Sequence, residues 1–375
     1  MHPNVPYLLT PGPLTTSDTV KSAMLRDWGS RDTDFIAMNT ELRQRLVALA
    51  GAEGTHVCVP LQGSGTFVVE AMLGTVVPPA GKLLVLVNGA YGTRMVEAAR
   101  VMGRAVDVLE WREDQTVDPV ALERRLAEDG GATHVAVVHC ETTSGILNPL
   151  EAVAQVVAAH GRALLIDAMS AFGALPLDAR QVPFAAVAAS SNKCLEGVPG
   201  VGFALIRRDV LRSCQGNSHS LSLDLFAQWK GFEKNAQWRF TPPTHVVAAF
   251  LQALDEHAAE GGVAGRGARY ARNHQVLVDG MESLGFRCLL PRATQAPIIV
   301  TFHMPADPNF QFQDFYRRLS AKGFLIYPGK LTVADSFRIG CIGRIGETEI
   351  RGALEAIECV LGDMGVKDCA PAGAD

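Results

Sequence analysis

The sequence predicts an α/β protein with a large, mostly parallel sheet domain and a smaller C-terminal α+β domain. Three observations carry this. Short apolar runs without a polar face follow one another: "HVCVP", "LLVLV", "AVDVLEW", "HVAVVH", "ALLID", "AAVAAS" and "VGFALI". Such strands suit a parallel sheet covered on both faces. Helix-like segments separate the earlier runs, and strand–helix alternation of this kind builds right-handed crossovers. After Phe240 the pattern changes to long helical stretches alternating with a few strand-like ones.

Taken in order, residues 1–16 are rich in Pro, Thr and Gly and read as an extended arm. "TSDTVKSAML" offers a helix start with Thr16 or Ser17 as N-cap. "DFIAMNTELRQRLVALAG" has apolar residues at helical spacing and stops at Gly51. The crossover helices are "TFVVEAMLGTVV", "TRMVEAARVMG", "PVALERRLAEDG" and "PLEAVAQVVAAHG", and the large domain spans 17–262. It closes with the helix "THVVAAFLQALDEHAAEGG", ended by Gly261 and Gly262. The small domain spans 263–365. It holds the helices "YARNHQVLVDGMESLG", "FQDFYRRLSAKG" and "ETEIRGALEAIECVLGDMG", and the strands "RCLL", "PIIVTFHM", "FLIYPG" and "SFRIGCIGRI". Residues 366–375 read as a disordered tail.

The totals narrow the function. With 48% hydrophobic and 19% charged residues the chain can bury a sizeable core. A net charge of -5 argues against nucleic acid or an anionic membrane as partner. The eight cysteines form no C-x-x-C pair and no His cluster sits beside them at zinc spacing, so they read as reduced thiols and no metal is expected. No signal-peptide pattern opens the chain, and no uncharged run reaches the ~20 residues of a membrane span. A soluble, cytoplasmic protein is expected.

Three stretches carry chemistry. In "LQGSGTFVVEAML", Gly63, Ser64, Gly65 and Thr66 precede a helix, whose free N–H groups make an anion cradle. The stretch satisfies neither G-x-G-x-x-G nor a nucleotide P-loop, and a tight turn with an ordinary cap explains it equally well. In "ALLIDAMSAFGALPLD", Asp167 ends an apolar run, at the sheet edge where α/β proteins bind ligands. In "AASSNKCLEGVPG", Lys193 follows another such run 26 residues later, with Glu196 the one other charge from Ala185 to Ile206. Alone it reads more readily as a loop lysine pointing at water. In an apolar pocket poor in cations, its pKa would fall far enough for nucleophilic work.

Together the three fit pyridoxal 5′-phosphate. The phosphate suits the helix N-terminus, the aldehyde the lysine and the pyridine nitrogen the carboxylate, which keeps the ring protonated. The wording "LLTPGPLTTSDTVKSAM", "DWGSRDTDF", "LQGSGTF", "NGAYGTRM", "CETTSGILNP", "IDAMSAFGA", "SSNKCLEGVPG", "RFTPPTHVV" and "SFRIGCIG" resembles the class V aminotransferases of PLP fold type I along nearly the whole chain. Within that family it is most similar to members that move the amino group of 2-aminoethylphosphonate to pyruvate. The alanine–glyoxylate and serine–pyruvate aminotransferases share the framework but not "WGSRDTDF" or "SSNKCLEG".

The resemblance implies roles. Lys193 would attach the cofactor and move the proton, and Asp167 would pair with the pyridinium. Ser64, Gly65, Thr66 and Ser190 or Asn192 would surround the phosphate and ring edge. Tyr91 would stack on one ring face and Met169 lie against the other, while Thr142 would touch the ring oxygen. Thr241 would reach the phosphate in a neighbouring subunit, which implies a homodimer. Arg338 would bind the substrate anion, with Arg31 as a second candidate. Other outcomes on the same cofactor stay open: an alanine–glyoxylate or serine–pyruvate type aminotransferase, or a lyase such as a cysteine desulfurase using Cys341. So does a catalytically inactive α/β scaffold, which the presence of both Asp167 and Lys193 opposes. Cys194 reads as a packing residue.

Overall fold

The computed structural model describes residues 5–329, 331 and 334–373. The first four residues of the predicted arm and the last two of the predicted tail lie outside the described residues.

The large domain is built on seven strands. They are β1 (His56–Gln62), β2 (Lys82–Val87), β3 (Ala105–Glu110), β4 (His134–Val138), β5 (Ala163–Asp167), β6 (Ala186–Ser190) and β7 (Val201–Arg207). Their spatial order is β1-β7-β6-β5-β4-β2-β3. Every pairing is parallel except those of β7, which runs antiparallel to both β1 and β6. The exception follows from chain length. Only residues 191–200 join β6 to β7, too few for a crossover helix, so the strand must turn back. That reversing loop carries Lys193.

Helices cover both faces. They include α1 (Thr33–Leu49), α2 (Gly65–Val76), α3 (Ala90–Val101), α4 (Pro119–Glu128), α5 (Leu150–Ala159), α6 (Leu225–Asn235) and α7 (Thr244–Ala259). Two apolar clusters result. One lies against Leu46, Val137, Ile166, Phe203 and Phe250, the other against Val59, Met72, Val85, Leu165 and Ala204. Alternate residues of one strand enter different clusters, as Leu165 and Ile166 do. This explains why β4 and β6 are buried at every position and lack a polar face. Helix α6 was missed in the sequence, although Asp224 caps it by accepting from Ala227 N–H.

Beyond α7, the helices α8 (Gly262–Ser283), α9 (Phe312–Ala321) and α10 (Glu347–Met364) pack on a three-stranded antiparallel sheet. Its strands are β8 (Ile299–His303), β9 (Tyr327–Pro328) and β10 (Ser336–Gly340). The predicted strand "RCLL" is a correction: it forms a single bridge, Cys288 to Phe302, and no strand. "FLIYPG" divides because its two halves pair on different sides. Phe324–Leu325 pairs in parallel with Tyr7–Leu8 of the arm, and β9 pairs with β10. Residues 366–373, expected as disordered tail, instead pack on this unit. Cys369 is buried, Ala306 N–H donates to the Ala370 carbonyl, and Asp307 accepts from Lys367 N–H.

Candidate active site

Strands β1, β5 and β6 run the same way, so their C-terminal ends share one edge of the sheet. A cleft of about 490 Å³ opens there. Ser64, Gly65, Thr66, Tyr91, Asp167, Met169, Ser190, Asn192 and Lys193 all line it. The turn from β1 into α2 is made by Gly63 at φ +136, a conformation that L side chains rarely adopt, where a Cβ would also strike Phe67. Ser64 is the N-cap of α2 but its hydroxyl makes no capping bond. The helix N-terminus, with its unpaired N–H groups and positive dipole end, therefore faces open space. A Cβ on Gly65 would fall on the Met169 sulfur, so glycine is what lets that side chain pack against the start of the helix.

Asp167 ends β5 and is 5% exposed. One carboxylate oxygen accepts from Met169 N–H at 2.9 Å. Burial pushes its pKa up to about 6, against the opposing pull of that N–H and of the Lys193 and Arg94 charges. A buried carboxylate so placed gains from a nearby cation.

The Lys193 ammonium lies in the cleft and donates to the carbonyls of Pro11 at 2.7 Å and Gly12 at 3.3 Å. Both belong to the N-terminal arm. Gly12 sits at φ +113, and a Cβ there would overlap the lysine side chain. This contact, 182 residues apart in the chain, left no mark in the local sequence.

Two hydroxyls, that of Ser190 in the cleft lining and that of Thr142, whose residue is fully buried and does not line the cleft, have no partner among the described residues. Unpaired buried hydroxyls are costly and ask for a ligand. Together with the uncapped α2 and the buried Asp167, they fit a group that carries an anion, a ring nitrogen and ring-edge polar atoms. Pyridoxal 5′-phosphate is such a group.

Sequence reasoning missed two further site residues. Glu141 is fully buried, and its carboxylate accepts from Tyr91 N–H (3.0 Å), Gly92 N–H (3.3 Å) and Thr143. It thereby caps α3 and orients Tyr91; burial raises its pKa against those bonds. Arg94 also lines the cleft, with its guanidinium 4.9 Å from the Tyr91 ring centre. The spacing i, i+3 on one helix was the available signal.

Arg338 lies in β10, is 2% exposed and does not line the cleft itself. It donates to the Thr142 carbonyl at 2.8 Å and twice to the Pro328 carbonyl, at 3.2 and 3.0 Å. Among the described residues no carboxylate pairs with it, and burial lowers its pKa. Thr241 and Arg31 are exposed and outside the cleft of this single chain. Cys341 is fully buried with its thiol pKa raised by burial, which does not suit a sulfur acceptor on a mobile loop. Cys194 is buried too, with its thiol pushed up to about 12.

This fold and site define an aminotransferase: the chain belongs to the class-V aminotransferase family, whose model matches residues 17–339. Pyridoxal 5′-phosphate is the cofactor and PLP fold type I the architecture. More specifically, the chain is 58% identical over 362 residues to 2-aminoethylphosphonate–pyruvate transaminase 2 of Burkholderia lata, which covers 96% of each chain. It is 54% identical over 363 residues to 2-aminoethylphosphonate–pyruvate transaminase 1 of Polaromonas sp., covering 96% of this chain and 97% of that one. The transaminase of that name from Pseudomonas putida is 53% identical over 365 residues, covering 97% and 99%. Among solved structures, pyridoxamine–pyruvate aminotransferase from Mesorhizobium loti matches with a TM-score of 0.89 at 21% identity, over 98% of this chain and 95% of that one. Alanine–glyoxylate aminotransferase from Nostoc sp. matches at 0.88 and 24%, over 96% of both.

Proposed function

We propose that this chain moves the amino group of 2-aminoethylphosphonate to pyruvate, giving phosphonoacetaldehyde and L-alanine. The observation that carries the chemistry is the convergence of Lys193, Asp167 and the α2 N-terminus on one cleft. The choice of substrates rests on the relatives, which share this reaction name over almost their full length.

When bound, the cofactor would supply an aldehyde for the donor amine and a ring that accepts an electron pair. Ser64, Gly65 and Thr66 would hold its phosphate, Asp167 its ring nitrogen, and Thr142, Ser190 and Asn192 the ring-edge atoms. Tyr91 and Met169 would confine the ring between them. Lys193 would hold the aldehyde at rest. Once displaced, its amine would take the proton from the carbon that bears the donor's amino group.

Arg338 would bind the phosphonate in one half-reaction and the pyruvate carboxylate in the other. Its bonds to neutral carbonyls occupy three of the five N–H groups of a guanidinium, which leaves two for an anion. Arg31 would add charge against the phosphonate.

The same reading makes the enzyme a cytoplasmic homodimer. Phe67 and Phe240 are each 51% exposed, and they adjoin Thr66 of the cradle and Thr241 respectively. Large apolar side chains at such points suit burial against a second copy, with Thr241 reaching its phosphate site. Among the described residues no helix is long and apolar enough to cross a membrane.

The test is a half-reaction panel on the cofactor-loaded protein. 2-Aminoethylphosphonate, alanine, serine and 2-aminoethylsulfonate are each added and conversion to the amine-form spectrum is followed. 2-Aminoethylphosphonate and alanine should convert it. Conversion by serine with no response to 2-aminoethylphosphonate would refute the reading.

A further inference from the structure

The loop that carries Lys193 also carries a buried ion-pair network whose members the reaction does not require. Glu196 is 2% exposed and adopts φ +57, a backbone region that non-glycine residues seldom occupy. Its N–H donates to the Lys193 carbonyl at 2.8 Å, closing a turn. Its Oε1 accepts from Arg269 at 2.7 Å and from the Tyr270 hydroxyl at 2.5 Å. Arg266 donates to the Cys194 carbonyl at 2.5 Å and to Glu260 at 2.7 Å. Burial alone works against the Glu260 carboxylate, but its bonds to Arg269 and Arg266 overcome this and hold its pKa down at about 2.

The network reaches further. Arg269 also donates to the Gly343 and Ile345 carbonyls at 2.6 and 2.7 Å. That segment follows β10, the strand of Arg338, and it grips the arm. Gly340 N–H donates to the Leu9 carbonyl and Arg344 N–H to the Thr15 carbonyl. Between those two points the arm offers the Pro11 carbonyl to the Lys193 ammonium. The contacts therefore close a ring. It runs from Lys193 through Glu196 and Arg269 to residues 340–345, then through the arm back to the lysine amine.

We propose that Glu196 is a positioning residue for Lys193, acting through Arg269. The unusual φ is what points its carboxylate away from the cleft and toward helix α8, and strain of this kind persists where surrounding contacts over-determine it. One end of the ring fixes the lysine backbone and the other its amine. Since both ends are anchored to residues 340–345, the lysine keeps register with the strand that carries Arg338. The phosphate cradle on α2 lies outside the ring, so the network should govern attachment at Lys193 and leave cofactor binding alone.

The proposal rests on the cofactor reading, and the test separates the two. Pyridoxal 5′-phosphate is added to full-length cofactor-free protein. Binding is read by quenching of tryptophan fluorescence, and attachment by the visible band and borohydride trapping at Lys193. Glu196→Ala and Arg269→Ala should each bind within about threefold of wild type but attach at least about tenfold more slowly, the scale on which small misplacements act. The double variant should be no slower than either single one, because they break one chain of contacts. Glu196→Gln, which still accepts from Tyr270, should recover most of the rate. Tyr270→Phe leaves every charge in place and serves if the charge variants fold poorly. The Tyr270 hydroxyl also accepts from Gly343 N–H at 3.2 Å, so this variant should slow attachment with a melting temperature only a few degrees below wild type and cofactor binding intact.

Unchanged attachment in Glu196→Ala or Tyr270→Phe would overturn the proposal. So would additive slowing, or parallel loss of cofactor binding and melting temperature. A wild type that binds without attaching would overturn the cofactor reading itself.

Discussion

Replacing Asp167 by Asn removes a charge that the cofactor-free protein holds at a cost. An aspartate with pKa 3.8 in the unfolded chain and about 6 when folded binds its proton more tightly in the folded state. Such a group lowers stability as pH rises through this window, the reverse of a salt-bridged carboxylate. The full difference is worth roughly 3 kcal/mol above pH 7, at 1.36 kcal/mol per pKa unit. At pH 5 the penalty is only about half developed. Asn is nearly isosteric, and its amide oxygen can still accept from Met169 N–H. Cofactor-free Asp167→Asn should therefore gain on wild type by roughly 1 kcal/mol more at pH 8 than at pH 5. Urea unfolding of both proteins at the two pH values measures this, and comparison with the variant cancels the titration of other groups. Pyridoxal 5′-phosphate should narrow the gap, because a ring cation stabilises the carboxylate and not the amide. A gap independent of pH, or one that widens on adding cofactor, would refute the account of Asp167 as a buried carboxylate in need of a cation.

Two further outcomes follow from the same geometry. Thr142→Val removes a buried hydroxyl without a partner, so the cofactor-free protein should gain about 1 kcal/mol in thermal or urea unfolding while its affinity for pyridoxal 5′-phosphate falls in a spectral titration. Arg338→Ala should lower kcat/KM for 2-aminoethylphosphonate by about a hundredfold or more and leave cofactor content close to wild type; loss of cofactor in proportion to activity would make the residue structural.

Much of the site was legible because its local physics is local in sequence. A glycine-rich turn before a helix, a carboxylate closing an apolar run and a lysine closing the next each announce the C-terminal edge of a sheet. Asp167 ends β5 and Lys193 follows the end of the adjacent β6, so one β-unit of spacing sufficed to place them together. Glu141, in contrast, reads as an ordinary acid beside Thr142. Only the folded chain shows that its carboxylate caps a helix that begins 51 residues earlier. Arg338 was legible as a strand arginine but not as one that, among the described residues, donates to carbonyls.

The sequence by itself determined the alternation of strands and helices, the doubly covered sheet and most of the side chains that meet in the cleft. Those follow from periodicity and from chemistry carried on short segments. The tertiary structure decided the reversed direction of β7, the ordered packing of residues 366–373, and the ring that joins Lys193 to the arm and to Arg269. These depend on pairings between segments far apart in the chain. A hydrogen bond from Lys193 to the Pro11 carbonyl leaves no periodic trace, because the energy of a contact is set by where the two ends meet and not by the residues beside them.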